Sequence, residues 1–429
     1  MKHLYQSLLL LLALILPATA TAHDFEVDGI YYNINGNTAT VTYKGTDSWN
    51  HNTYSGTVTI PATVTYNGTT YSVTTIGTRA FYDCIGLTSV TIPNSVTTIC
   101  DGAFFNCQGL SSVTIPNSVT TIGDYVFSQC YYLSRVTIPN SVTTIGDYLF
   151  NACFNLGSVN IPNSVTTIGE GAFTYSGLTR VTIPNSVTTI GDYAFEGCQG
   201  LWDVTIPNSV TTIGKYAFRD TEWYDKQPDG LVYAGSVAYK YKGGMPDGTS
   251  FTIEDGTLSI AFGAFSECSG LTSVTLPNSV ISIDEYAFYC CFGLTSVTIP
   301  NSVISIDEYA FCCCYGLTDV YSYIIDPQGI WDVKAFGNND QCVLHVPYGT
   351  SSAYQADGWS SYFGQIVEME LNGDVNLDGL LSVADVSDAI DYVLGLDVNP
   401  FYSSNADING NGRVDLSDIV LLIDMLLKN

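Results

Sequence analysis

Apolar residues in this chain recur on a fixed beat. The string Ile-Pro-Asn-Ser-Val returns with its proline at Pro93, Pro116, Pro139, Pro162, Pro184 and Pro207. It returns again as Leu-Pro-Asn-Ser-Val at Pro277 and as Ile-Pro-Asn-Ser-Val at Pro300. The step in the first run is 23 residues, with one of 22 between Pro162 and Pro184. Within a unit, Leu87, Val90 and Ile92 fall on one side and Ser89 and Thr91 on the other, the alternation of a strand. Pro93 ends that strand, having no amide hydrogen for a ladder. Val96 and Ile99 predict a second extended piece. Residues 101–107 predict a short turn or helical loop that buries Ala103 and Phe104, and Gly109 predicts a tight bend into Leu110.

One such unit cannot bury its own apolar side, whereas stacked units bury one another's. The expected fold is therefore mainly a β solenoid, an array of 23-residue coils with short turns or 3-10 segments. Roughly twelve coils fit between Pro61 and Pro347, about 55–60 Å of array at the usual strand spacing.

Two columns of the repeat carry candidate chemistry. Cysteine falls at one position in Cys84, Cys107, Cys130, Cys153, Cys198, Cys268, Cys291 and Cys314, with Ser176 and Thr221 in two other coils. A position that accepts Cys, Ser or Thr wants a small, partly polar core filler, so an inert buried ladder is expected. Cys290, Cys312 and Cys313 stand beside that column and could pair or react. The outward strand positions read Thr91, Thr114, Thr137, Asn160, Thr182 and Thr205, with Arg135, Arg180 and Asp203 breaking a row of serines beside them. This face is either simply the solvated side of the sheet or a ligand-binding surface. For the second reading, Thr91, Thr114, Thr137, Arg135, Arg180, Asp203 and Thr205 are the candidate residues.

The beat breaks at both ends and once inside. Residues 1–22 carry Lys2, an apolar stretch at 8–16 and Ala20-Thr21-Ala22, the pattern of a cleaved export segment. Residues 23–57 are expected to cap the array with strands, 58–345 to form it, and 346–370 to cap and link its far end. Residues 219–262 keep the register as irregular coils and gather Trp223, Tyr224, Tyr233, Tyr239 and Tyr241, either as a contact site or as packing. No second membrane segment appears, so no transmembrane anchor is expected.

Charge narrows the partners. Charged residues are only 13% of the chain and the net charge is −28, which disfavours nucleic acid and anionic membranes and suits cations. Histidines number only four, His3, His23, His51 and His345. Asp124, Asp147, Glu170 and Asp192 repeat at one position, a scaffold pattern rather than a catalytic pair, and no enzymatic role is expected.

Residues 371–429 change character, to a small all-α module of paired loops and helices. Two loops, beginning at Asp374 and Asp407, place oxygen donors at positions 1, 3, 5, 7, 9 and 12, as calcium requires. In the first these are Asp374, Asn376, Asp378, the Leu380 carbonyl, Ser382 and Asp385. In the second they are Asp407, Asn409, Asn411, the Arg413 carbonyl, Asp415 and Asp418. Apolar-periodic helices are expected after each, over 386–394 and 419–427. Two calcium ions are the expected cofactors.

The repeat, with its Ile-Gly-x-x-Ala-Phe segment, resembles the BspA-like class of leucine-rich repeat proteins over roughly residues 58–345. The paired loop–helix module resembles a type I dockerin over about 372–429. The first resemblance implies a secreted or bacterial cell-surface protein that adheres to host matrix or to other surface proteins. The second implies calcium-dependent docking to a cohesin-like receptor. By that likeness Val383, Ala384, Leu416 and Ser417, at loop positions 10 and 11, would touch the receptor, although only Ser417 keeps the hydroxyl usual there. The competing readings are a structural surface-layer component and a non-catalytic subunit of an extracellular polysaccharide-degrading assembly.

Overall fold

The computed structural model describes residues 23–44, 54–329, 334–337, 339–347, 349–369, 373–376, 378, 380–398, 400–408 and 413–428. The export segment and His51 lie outside them, as do the loop residues Asn409 and Asn411. The chain divides into two compact units, one of Met1–Pro207 with Tyr216–Lys226, the other of Asn208–Lys215 with Gln227–Asn429.

The first unit opens on an antiparallel meander, Phe25–Val27, Ile30–Asn35 and Thr38–Thr42, whose last strand pairs in parallel with Thr69–Ile76. From there the coils give strands to two parallel faces, the coil around Ser158 contributing only a single bridge to one of them. One face stacks Gly56–Thr59, Leu87–Thr91, Ser112–Thr114 and Arg135–Thr137. The other is built from two-residue strands such as Thr98–Ile99 and Thr121–Ile122. Between them runs a column of buried phenylalanines, Phe81, Phe104, Phe127, Phe150, Phe173, Phe195 and Phe218. Their rings stack with centroids 4.9–5.7 Å apart, so each coil's core residue is covered by the same residue of the next.

The repeated string now has a physical reading. Pro93 accepts from the Val96 amide at 3.1 Å, closing a turn over Asn94 and Ser95. The serine hydroxyl then reaches back one coil. Ser95 donates to the Val73 carbonyl at 2.6 Å, Ser118 to Val96 at 2.7 Å and Ser164 to Val142 at 2.6 Å. Proline stops the strand, asparagine and serine make the turn, serine ties it to its predecessor, and valine re-enters the core.

Helical segments do not form within the regular coils; the irregular stretch has one four-residue helix, Glu222–Asp225. The stretch from Asp101 to Cys107 is a run of turns, and among the described residues the 3-10 helix is Trp359–Ser361. The reason is backbone handedness. Tyr125, Tyr148, Tyr193 and Tyr216 hold φ between 51° and 58°, and a second column, including Asn106 and Gln129, does the same. Left-handed residues at these intervals interrupt any helix. Gly109 is not among the positive-φ residues. It is small because a Cβ there would lie 2.7 Å from the Ile85 carbonyl oxygen, so close approach between coils, not a special bend, explains it.

The second unit repeats this plan. Gly230–Ala234 and Val237–Lys242 form an antiparallel hairpin, and parallel coils follow. Tyr241 takes the place of the core phenylalanine: its amide donates to the Ala264 carbonyl at 2.7 Å, as Phe265 does to Ala287. Tyr239 is buried, and Tyr233 packs against the core. In the first unit Trp223 packs against Phe218. Trp223, Tyr233, Tyr239 and Tyr241 therefore serve in packing the irregular coils. The sheet continues through Asn339–Val346 and Phe363–Glu368, where buried Tyr354 and Trp359 close the core.

The helices of the C-terminal module start earlier than the apolar pattern suggests, at Val383–Val393 and Leu416–Lys428. Ser382 caps the first, its hydroxyl accepting from the Ala384 amide at 3.0 Å while Asp385 accepts from the Ser382 amide at 2.7 Å. This capping box draws three more residues into the helix. A four-residue helix, Ser403–Ala406, precedes the second loop, where none was expected.

Candidate functional site

Two places gather the candidate residues. The first is the outward face of the first unit's four-stranded sheet that runs from Gly56–Thr59 to Arg135–Thr137. Thr91, Thr114 and Thr137 align in register, as do Ser89, Ser112 and Arg135. The three threonines line one open cavity of about 590 Å³. Ser89, Ser112, Asn94 and Asn117 share it, and Ile92, Ile115 and Pro116 supply apolar surface. None of these lining residues is ionisable, so the groove offers donors, acceptors and methyl groups but no acid–base chemistry. It suits a ligand recognised by hydrogen bonds and shape, such as an extended peptide segment.

Asn94 and Asn117 are not among the residues that the sequence marks as candidates. Their recurrence just past the strand was the available signal, because a residue there borders the sheet's open face. Arg135 lies in the same sheet beside Ser112 but does not line the cavity. Arg180 and Asp203 face each other across a separate pair of strands, Arg180–Thr182 and Asp203–Thr205, together with Thr205. The structure thus assembles three of the seven face candidates into one groove and leaves four outside it.

The repeated carboxylates are scaffold. Asp124 accepts from the Asp147 amide and Asp147 from the Glu170 amide, both at 2.8 Å. Partial burial nevertheless raises the Asp124 carboxyl above its ordinary range, opposed by that amide and helped by Asp147 and Asp101. His345 Nε2 lies 2.8 Å from Asp319 Oδ1, and that contact comes first among those holding the Asp319 carboxyl low.

The second place is the first acidic loop. Asp374, Asp378 and Asp385 bring ligand oxygens within 4.8 Å of one another. Asp385 is buried and accepts from the Val375 amide at 2.9 Å, which fixes the carboxylate in place. Burial comes first among the causes that raise its carboxyl above the ordinary value. Asn376 accepts from the Asp378 amide at 2.9 Å, and Asp378 from Leu380, so the loop is tied by its own side chains. The Ser382 hydroxyl is occupied as a helix cap. Loop two repeats the ending: Asp418 is buried and accepts from the Asp415 amide at 3.0 Å. Asp407 and Arg413 flank the stretch that holds Asn409 and Asn411. Three carboxylates held this close repel one another when ionised, and a hard cation relieves that repulsion.

Val383 and Leu416 occupy equivalent first-turn positions, each 71% exposed, with Ala384 and Ser417 exposed beside them. Val420 and Leu427 continue the exposed apolar row along the second helix, a feature the sequence reading did not single out.

The repeat matches the BspA type leucine-rich repeat region, in six copies, over residues 63–179, 166–226 and 237–325, more than half of the chain. The chain belongs to the BspA-type leucine-rich repeat family. A leucine-rich cell surface protein of Faecalibacterium prausnitzii is similar at 29% identity, covering 81% of this chain and 94% of its own, with a TM-score of 0.38. A leucine-rich repeat protein of Bacteroides ovatus is 21% identical over 81% of this chain and 100% of its own, with a TM-score of 0.38. The pneumococcal vaccine antigen PcpA is 18% identical over 82% of this chain and 99% of its own, with a TM-score of 0.36. No curated protein matches. The BspA-type match spans the coils that carry the hydroxyl groove and ends before the acidic loops. Among the described residues, no helix is long and apolar enough to cross a membrane.

Proposed function

We propose that this BspA-type chain is an extracellular, surface-attached adhesion protein that binds a protein ligand along its hydroxyl-lined sheet and has no catalytic role. The observation that carries this reading is the groove over Thr91, Thr114 and Thr137, uncharged and lined by hydroxyls, amides and short apolar patches. Such a surface recognises backbone and small side chains. The Faecalibacterium protein, described as a cell surface protein, supports the placement outside the cell. Export would be directed by residues 1–22.

The C-terminal residues 371–429 would form the calcium module. Asp374, Asp378 and Asp385, with Asn376 and the Leu380 carbonyl, would hold one ion. Asp407, Asn409, Asn411, the Arg413 carbonyl and Asp418 would hold a second, with Ser382 and Asp415 at the position often bridged by water. Bound calcium would neutralise the clustered carboxylates and so stabilise the fold around them. The exposed first turns at Val383-Ala384 and Leu416-Ser417 support docking to a cohesin-like receptor. Attachment would then lie in the module and ligand binding in the array.

Binding of the full chain to immobilised host matrix proteins tests the first part. Thr114→Arg puts a long charged side chain into the groove and is expected to weaken binding at least about tenfold, the equivalent of 1.4 kcal/mol. The melting temperature should not change, because Thr114 is exposed. Equal binding by the variant would remove the groove from the account.

A further inference from the structure

Two groups of cysteines have different surroundings. Most of the core column is buried, and thiols there donate to a phenylalanine carbonyl of the preceding coil: Cys107 to Phe81 at 3.0 Å, Cys130 to Phe104 and Cys153 to Phe127 at 3.2 Å. Burial pushes the Cys130 thiol up to about 12, and Cys107 and Cys153 shift the same way. These are inert fillers with a hydrogen-bonding task.

Cys290, Cys312 and Cys313 differ. All three are only partly buried. Cys290 and Cys313 occupy the same left-handed position in consecutive coils, at φ 57° and 61°. The Cys290 amide donates to the Cys312 carbonyl at 3.0 Å, which locks the two coils in register there. The Cys312 and Cys313 sulfurs are 3.5 Å apart, and Cys290 stands in the same column as Cys313, one coil earlier. In the following coil Gly337 takes the Cys312 position, where an added Cβ would come within 3.4 Å of the Cys312 sulfur. No side chain from Gly337 therefore covers the cluster.

We propose that Cys290, Cys312 and Cys313 form a thiol–disulfide exchange site, in which Cys313 is the attacking thiol and Cys290 the resolving one. The co-reactant is a low-molecular-weight disulfide. The Cys313 thiolate attacks one of its sulfurs, the external S–S bond breaks, and one thiolate leaves. The Cys290 thiolate then attacks the Cys313 sulfur of the mixed disulfide, releasing the second thiol. The two cysteines lose two electrons, the external disulfide gains them, and the two cysteine protons end on the released thiols. The product is a Cys290–Cys313 bridge joining consecutive coils.

Geometry selects this pair. The hydrogen bond from the Cys290 amide to the Cys312 carbonyl holds these turns of consecutive coils at about the 4.8 Å stacking distance of the array, inside the Cα separation a disulfide accepts. Cys312 and Cys313 are adjacent in the chain, with Cα atoms about 3.8 Å apart, below that range. Partial burial alone would push the Cys313 thiol up. Hydrogen bonds from Tyr315, Cys312, Cys290 and Tyr289 outweigh it and hold that thiol below the ordinary value. Burial comes first among the causes that raise Cys290, and it also raises Cys312, to about 11. Attack by Cys313 and resolution by its neighbour follow from that asymmetry.

The test is to incubate the reduced full chain with oxidised glutathione, block remaining thiols, and map peptides after cleavage at acidic residues. Glu308 separates Cys290 from Cys313, so the bridge is read directly. The expected product is a Cys290–Cys313 cross-linked peptide lacking two hydrogens. Cys290→Ser should trap glutathione on Cys313, Cys312→Ser should still cross-link, and Cys313→Ser should not. Native alkylation should reach Cys313 at least about tenfold faster than Cys130 or Cys153, as their different burial and thiolate character require. A Cys312–Cys313 bridge, no bridge at all, or alkylation of Cys313 as slow as that of Cys130 would overturn the proposal. Circular dichroism melts of each variant separate lost chemistry from lost fold.

Discussion

The coils and the C-terminal module solve the same problem, keeping a polar chain folded, by opposite means. In the coils each residue is covered by its own kind. Phenylalanine lies on phenylalanine, serine ties to the valine carbonyl before it, and cysteine ties to phenylalanine. Nothing further is required to hold one coil on the next. In the module, like charges are brought together: three carboxylates converge, and the apolar cluster around Val375, Val386, Ala389, Ile419 and Leu422 is small. Identical neighbours stabilise when they are apolar or hydrogen-bonded and destabilise when they are charged. The array should therefore be independent of ions, and the module should depend on them.

The largest effect that would break this contrast lies in the coils. Phe150 is fully buried between Phe127 and Phe173, with ring centroids 5.7 and 5.4 Å away. Phe150→Ala should cost about 3–5 kcal/mol in denaturant unfolding and leave any calcium response intact. A loss below about 1 kcal/mol would mean that stacking is not what holds the coils together.

A smaller effect separates cysteine's two roles in its column. Cys130→Val keeps size and apolarity but removes the donor to Phe104. It should cost about 1 kcal/mol, whereas Cys130→Ser, which keeps a hydroxyl donor, should cost less. The opposite order would show that volume, not hydrogen bonding, sets the column. Smaller again, Ser118→Ala removes one bond to the Val96 carbonyl and should cost about 0.5–1 kcal/mol, read from the same denaturation curves.

How much of this was legible follows the same divide. The 23-residue step fixes which residues meet, so the cysteine and phenylalanine columns and the outward threonines could be read from spacing. The serine's task could not, because its partner belongs to the previous coil and is a backbone group. The left-handed tyrosines were hidden for a related reason: their conformation is imposed by stacking against local preference. Tyr241 in a phenylalanine position was obscured by the irregular coil around it. In the module, spacing alone pointed to Asp374, Asp378 and Asp385, which the fold brings together. The early helix start at Val383 was written in Ser382 and Asp385 as a capping box, but those residues had been read only as ligands.

Hydrogen exchange of the full chain, with calcium and after chelation, tests the central contrast most directly. Chelation should expose amides of residues 373–428 while the coils from 85 to 325 keep their protection. Asp374→Ala combined with Asp385→Ala should reproduce the chelated pattern of the first loop in the presence of calcium. Protection of the module that is the same with and without calcium would contradict the account, as would a loss spread evenly over coils and module.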